Sequence, residues 1–393
     1  MQGWGPREVT MGPGPLAATG HGHYSEHSPA HPRAPSPPPS SSSSSAAPPQ
    51  DTPPLPKIST DPMDVEAWYP LLCQYTFRTH FIDLPKSYAN ALINCYEDEK
   101  FGTNEGMDHS VGFLRGLEEQ LQEAIRDLGG KAFIRLSTRC PSDVPLRREK
   151  TKRLLKEELR KINGEAGEMA QCAALLRAVG KSMCVESAEE AMDFLLHSEI
   201  VYKELFERIL AHEDDFTMKV VVREWVDIDP EWEFRAFVCN RKLTALTQHC
   251  KLCYVPGLLS AERRRALAKR VQQCWDCIQD KVEMNHCVVD FAFTRQNEYL
   301  VDLNPFDAST DGVLFDWQQD KSVLRNGPFE FRVAESPPTF LKARIDPSMA
   351  NLMIQVGAWR QQEVDDQLRQ LEAETLSQGK ASKGSDAKSC LLS

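Results

Sequence analysis

The chain has 393 residues, with 46 Lys plus Arg against 57 Asp plus Glu, a formal net charge of −11 and a pI near 5.5. That length allows one large domain or two ordinary ones, and the acidic balance argues against a protein built to coat nucleic acid, so no direct nucleic-acid partner is expected. No stretch of about 18 apolar residues is present, which excludes a transmembrane helix; the N-terminus lacks a basic-then-apolar signal, so the 12 cysteines are expected to be reduced thiols of a cytoplasmic protein.

Residues 1–60 hold 14 of the 26 prolines, the serine run Ser40 to Ser45, and His21, His23, His27 and His31. So few large apolar residues cannot offset the entropy of ordering, and a disordered head is expected. Order is expected from Asp61. Val111, Leu114, Leu117, Leu121 and Ile125 recur at helical spacing and predict a helix over 110–128, stopped by Gly129-Gly130. A short strand over 131–137, a basic helix over 147–162 and two helices over 186–211 follow. Met218–Val226, Glu233–Cys239 and Lys242–Thr247 are strands by composition, with Asn240-Arg241 suited to a hairpin turn. After a helix over 261–279, Cys287–Thr294 and Glu298–Asn304 predict a second hairpin. The unit over 61–345 therefore reads as α+β with antiparallel hairpins, and residues 346–393 as a C-terminal helix and flexible tail. There is neither a G-x-G-x-x-G nor a G-x-x-x-x-G-K-[ST] sequence, which disfavours a Rossmann site and a P-loop.

The chemistry concentrates in the second hairpin. Strand alternation puts Asp302 and Asn304 on one face with Leu303 on the other, and a short turn sets Asp290 opposite that pair. Two carboxylates and an amide oxygen are hard ligands that suit Mg2+; the competing account is a row of solvent-facing strand residues. Arg135 and Arg235 are candidate phosphate contacts, or equally surface partners of a neighbouring Glu. Arg223, Glu224, Trp225 and Val226 close a strand beside apolar side chains, the setting of an adenine seat.

Taken in order, Trp68-Tyr-Pro, Tyr75-Thr-Phe-Arg, Phe133-Ile-Arg-Leu, Pro141-Ser-Asp143, Val222-Arg-Glu-Trp-Val, Glu233-Phe-Arg-Ala-Phe-Val, Val289-Asp-Phe, Leu300-Val-Asp-Leu-Asn-Pro-Phe and Thr310-Asp-Gly-Val-Leu-Phe-Asp-Trp resemble the cell division cycle protein 123 family, with gaps, from Ala67 to Trp317. The resemblance implies an ATP-grasp-like fold in which two subdomains hold Mg·ATP between them. It also implies an assembly chaperone for eukaryotic translation initiation factor 2 that binds the gamma subunit. By position it makes Asp302 and Asn304 the metal ligands and Asp290 the acidic residue facing the same ions. Arg223, Glu224, Trp225 and Val226 become the adenine hinge, Arg235 a phosphate-side arginine, and Asp143 part of a nucleotide-covering loop. No catalytic residue is assigned. Arg135 stands where the family usually has a lysine, with Lys131 on the same strand able to share its role. Gln248-His249-Cys250 stands where the family tends to have Gln-Arg-Asp. An ATP-grasp carboxylate–amine or carboxylate–thiol ligase and a membrane-tethered scaffold are the alternative readings.

Two cysteine patterns remain. Cys250, Cys253, Cys274 and Cys277 match a zinc-ribbon spacing, but Cys274 and Cys277 fall within an unbroken helical pattern, so buried thiols are the expectation. Cys390-Leu-Leu-Ser393 reads as a C-a-a-X box favouring a farnesyl group on Cys390. One such chain predicts weak, partial membrane association.

Overall fold

The computed structural model describes residues 61–102, 112–162, 167–212 and 214–389. The head read as disordered and the Cys390–Ser393 box lie outside the described residues.

The first sheet is built from β1 (Thr79–Asp83), β2 (Ala132–Leu136) and β3 (Lys219–Glu224), antiparallel in the order β1-β3-β2. Its central strand is a run of valines because both of its faces are covered. Val220 and Val222 pack with Ile134 and Leu136 against Leu92, Leu117, Leu121, Phe194 and Leu205. Those come from helices that follow α1 (Val65–Leu72), namely α2 (Lys86–Phe101), α3 (Arg115–Asp127), α6 (Ala188–His197) and α7 (Glu199–Ala211), which form a layer on one face. Val221 points the other way, into the core of the second sheet. The periodic residues Leu114, Leu117, Leu121 and Ile125 are all buried as expected, although α3 starts at Arg115. Gly130, at φ 85°, closes its C-terminus by donating to the Ile125 carbonyl at 2.9 Å. Ser198 breaks the 186–211 region into two helices by capping α7, accepting the Val201 N–H.

The second sheet has the order β7-β6-β4-β5-β8, from β4 (Glu233–Cys239), β5 (Lys242–Gln248), β6 (Cys287–Phe293), β7 (Glu298–Asn304) and β8 (Glu330–Arg332). Asn240 and Arg241 both take positive φ (52° and 61°), the backbone of a two-residue primed turn. The expected antiparallel hairpins form, but the sheet is mixed: β8 joins β5 in parallel. Helix α8 (Ala261–Ile278) lays Val271, Cys274, Trp275 and Ile278 on Phe234, Ala236, Val289, Phe291, Leu300 and Leu303. The opposite face is covered at one end, where Phe237, Ala245 and Val288 meet Phe315 and Leu324.

A third core joins α4 (Glu149–Lys161) and α5 (Glu168–Ser182) to α10 (Leu341–Arg344), α11 (Pro347–Gln355) and the first turns of α12 (Gln361–Ser389), around Leu155, Leu175, Met353 and Trp359. A short α9 (Lys321–Asn326) lies between β7 and β8. Helix α12 continues to Ser389, through the polar stretch read as a flexible tail; its Ala, Lys, Gln and Ser residues carry no proline to stop it.

Candidate functional site

The face of the second sheet turned away from α8 carries one line of polar residues across the strands. Cross-strand register sets Arg332 beside Thr247, Thr247 beside Arg235, Arg235 beside Asp290, and Asp290 beside Asp302. Two bulges align this line. One falls between Phe237 and Val238 and moves Thr247 opposite Arg235; the other falls after Asp290 and brings Asp302 rather than Val301 opposite it.

Arg235 grips Asp290 with both ends of its fork, Nε to Oδ1 at 2.8 Å and Nη2 to Oδ2 at 2.9 Å, and its Nη1 donates to the Asp311 carbonyl at 2.7 Å. Asn304 Nδ2 also donates to Asp290 Oδ2, at 2.9 Å. Burial alone would raise the Asp290 carboxyl, but the Arg235 bonds, the His249 ring and Asn304 outweigh it and hold the carboxyl below the usual range. His249 flanks the pair, with Nε2 3.8 Å from Asp290 Oδ2 and 3.4 Å from Arg235 Nη2.

The line ends on a bridge between the sheets. Arg135 of β2 donates from Nη1 to Asp302 Oδ2 at 2.7 Å, and from Nη2 to the Thr138 carbonyl at 2.6 Å. Its side chain is 5% exposed and that of Asp302 17%, so the bridge is poorly screened. Burial lowers the Arg135 guanidinium, but Asp302 more than restores it. Arg223 lies on the same face of the first sheet with a different fate. It is 1% exposed, stacks on Phe77 at 4.7 Å, donates to the Val301 carbonyl at 2.8 Å and to Thr76 Oγ1, and its Nε has no partner. Burial, then repulsion from Arg135, pulls its guanidinium down to about 9.

The oxygen donors fit a hard divalent cation in part. Asp302 and Asn304 share a face with Leu303 buried behind them, and the Asn304 amide nitrogen is turned to Asp290, leaving its oxygen directed elsewhere. Both Asp290 oxygens are taken by Arg235. Among the described residues no group of three or more His, Cys, Asp or Glu side chains is disposed to hold a metal alone. A cation there would need phosphate or water oxygens to complete its shell, which is the habit of Mg2+.

A sequence profile of the D123 family matches residues 173–370, half of the chain. The chain belongs to the D123 family. It is similar to the translation initiation factor eIF2 assembly protein of Xenopus laevis, 22% identical over 310 residues that cover 70% of this chain and 81% of that protein. Cell division cycle protein 123 of Eremothecium gossypii is 31% identical over 119 residues, which cover 29% of this chain and 32% of that one. The solved structure of Cdc123 from Schizosaccharomyces pombe, 21% identical, superposes over 70% of this chain and 96% of its own with a TM-score of 0.51, and shows a shared fold.

In this D123-family chain Arg223 to Asn304 fall within the profile match, whereas Arg135 and Asp143 precede it. The Arg223–Val226 segment runs from the end of β3 toward β4 and so connects the two sheets. Along it Glu224 pairs with Arg78 at 2.9 Å, Trp225 packs on the first core, and Val226 sits with Phe77 and Tyr299. Asp143 is held at the start of α7, where Oδ1 accepts from Ser198 Oγ at 2.6 Å and Oδ2 from the Glu199 N–H at 2.8 Å. Lys131 pairs with Glu186 at 3.2 Å. Cys274 lies buried in α8 and Cys277 on its exposed side, and Cys250 and Cys253 lie in the loop after β5. Sequence reasoning did not assign Thr247 or His249 to the site. Thr247 is fully buried with an unpartnered Oγ1, and only the bulge, which has no sequence signal of its own, sets it beside Arg235.

Proposed function

We propose that this chain binds ATP with Mg2+ between its two sheets, in an ATP-grasp-like manner, and that the nucleotide-bound form assists assembly of eukaryotic translation initiation factor 2 through the gamma subunit. Three things support the reading: membership of the D123 family, relatives named for eIF2 assembly, and the cross-sheet bridge from Arg135 to Asp302. The bridge carries most weight. It pairs a cation suited to phosphate with a carboxylate suited to metal, at the place where the sheets meet, so each group is held in position by the other.

In this reading Asp302 and Asn304 supply oxygen to the cation, and Asp290, fixed by Arg235, orients the Asn304 amide. Arg135 and Arg235 face phosphate oxygens. Arg223, Glu224, Trp225 and Val226 seat the adenine, and Asp143, anchored on the first residues of α7, belongs to the loop that covers the nucleotide. Bound Mg2+ supplies charge neutralisation for the triphosphate. Ligation of both sheets by one nucleotide would stiffen their mutual orientation, and a stiffened surface binds a partner at lower entropic cost.

The proposal places the chain in the cytoplasm. It includes farnesylation of Cys390 as a separate element, abandoned if Cys390→Ser leaves membrane fractionation unchanged. The functional test is capture of purified initiation factor 2 gamma subunit on the immobilised chain. Mg·ATP should increase retention for the native chain and leave it unchanged for Asp302→Ala. Equal retention with and without nucleotide contradicts the proposal.

A further inference from the structure

The loop after β5 begins His249-Cys250-Lys251-Leu252-Cys253, and its backbone is tightly organised. The Cys253 N–H donates to the Cys250 carbonyl at 3.1 Å, closing a four-residue turn. Gln248, buried at the end of β5, donates from Nε2 to both the Cys250 carbonyl (2.7 Å) and the Cys253 carbonyl (2.6 Å), while its Oε1 accepts the Ala334 N–H at 2.8 Å. A turn of this kind holds its first and last Cα atoms within about 7 Å, and a disulfide needs Cα atoms about 4.4–6.8 Å apart. The two sulfurs are therefore on a backbone already shaped for a bond between them.

Their settings differ in the way thiol–disulfide exchange requires. Cys250 is half-buried, while Cys253 is 6% exposed. A hydrogen bond from the Cys253 thiol lowers Cys250 most; burial opposes it, and the Leu252 and Cys253 N–H groups and His249 lower it further, so the Cys250 thiol lies below the usual cysteine range. Cys253 is correspondingly raised. Burial instead pushes Cys140 and Cys287 up to about 12 and Cys184 up to about 11. Cys172, the neighbouring thiol on α5, is pushed up to about 12 by burial and by Cys250 itself.

We propose that Cys250 and Cys253 are a reversible oxidation site, in which Cys250 is the attacking thiol and Cys253 the resolving one, with a low-molecular-weight disulfide as the oxidant. The Cys250 thiolate attacks one sulfur of the small disulfide, whose S–S bond breaks and releases one thiolate. Cys253 then gives its proton to solvent and attacks the Cys250 sulfur of the mixed disulfide, expelling the second thiolate. Two protein thiols are oxidised and one disulfide is reduced to two small thiols.

The site is linked to the polar line through His249, the residue before Cys250. Its N–H is tied to the Glu233 carbonyl at 2.8 Å and its ring lies beside Asp290 and Arg235. Closing the S–S bond tightens the turn next to that ring. The oxidised chain should therefore bind Mg·ATP differently, an effect that rests on the nucleotide-binding reading.

The test equilibrates the full chain in glutathione–glutathione disulfide buffers and maps the products by peptide mass spectrometry. The expected product is a Cys250–Cys253 disulfide, reversed by dithiothreitol, with glutathione trapped on Cys250 in Cys253→Ser and nothing trapped at position 253 in Cys250→Ser. Modification of the exposed Cys277 ahead of Cys250, or no intramolecular bond at any ratio, overturns the proposal. The native chain's own redox titration gives the answer even if either variant folds poorly. Mg·ATP titration of the oxidised and reduced native chain should differ by about fivefold in affinity. Equal, measurable affinities overturn the link through His249. No affinity in either state while the disulfide forms overturns the nucleotide reading instead.

Discussion

The second sheet has two faces made from the same strands, and they are stabilised by different forces. On the α8 face, Phe234, Ala236, Val289, Phe291 and Leu303 pack against Val271 and Trp275 in one apolar cluster. On the other face, one residue along each strand, Arg235, Asp290 and Asp302 are buried or nearly so. Apolar packing is additive and tolerant. Buried charges are held only by their partners, and desolvation offsets much of what the partners return. The first face should therefore govern folding and the second should govern binding.

The largest test strikes the apolar face. Trp275 is fully buried and its indole N–H donates to the Arg241 carbonyl at 3.0 Å. Trp275→Ala should cost about 4 kcal/mol in chemical denaturation and leave the Mg·ATP affinity of the folded chain unchanged; lost affinity with intact stability would invert the assignment of the faces. Next is Asp290→Ala, which strands Arg235 without its carboxylate and should cost about 3 kcal/mol. The double variant with Arg235→Met should recover most of that loss, and failure to recover would mean that the pair is not the source of the cost.

Arg223→Met should change stability by about 1 kcal/mol or less, because this guanidinium is buried with no carboxylate partner among its contacts, and an apolar side chain of similar length can keep the packing on Phe77. A large loss would show that its bond to the Val301 carbonyl is essential to the bulge. The smallest effect is a contrast drawn from the surface. His197, bonded to Asp193 and near Glu99, is raised from 6.5 to about 9. Its contribution is fully present below pH 6.5 and is lost as pH rises through about 9. At 41% side-chain exposure, solvent screening leaves it below about 1 kcal/mol. Melting of the native chain should fall over that window while His197→Gln stays flat by comparison, and added salt should shrink the difference. An equal fall in both chains would assign the pH dependence elsewhere.

The strands and their alternation were legible because apolar residues at period two are a physical requirement of a sheet with a buried face. Asp302, Leu303 and Asn304 show it plainly. Register was less legible. Counting back from the two-residue turn at Asn240-Arg241 places Leu246 opposite Arg235, and only the bulge after Phe237 substitutes Thr247. The same holds at Val301, whose extra residue brings Asp302 to Asp290. The helices α2 and α5 escaped because small apolar residues such as Ala89, Ala91 and Cys172, Ala174 spread around them rather than forming one stripe. Partners supplied by backbone carbonyls, such as Thr138 and Asp311, have no side-chain signature at all.

Asp302, at the meeting of the sheets, is proposed to hold the cation of a bound nucleotide. Thermal-shift titration of the native chain and of Asp302→Ala with ATP, each with and without Mg2+, tests it most directly. The melting temperature of the native chain should rise only with ATP and Mg2+ together, and the rise should be lost in Asp302→Ala. No Mg2+-dependent rise, or the same rise in both chains, would contradict it.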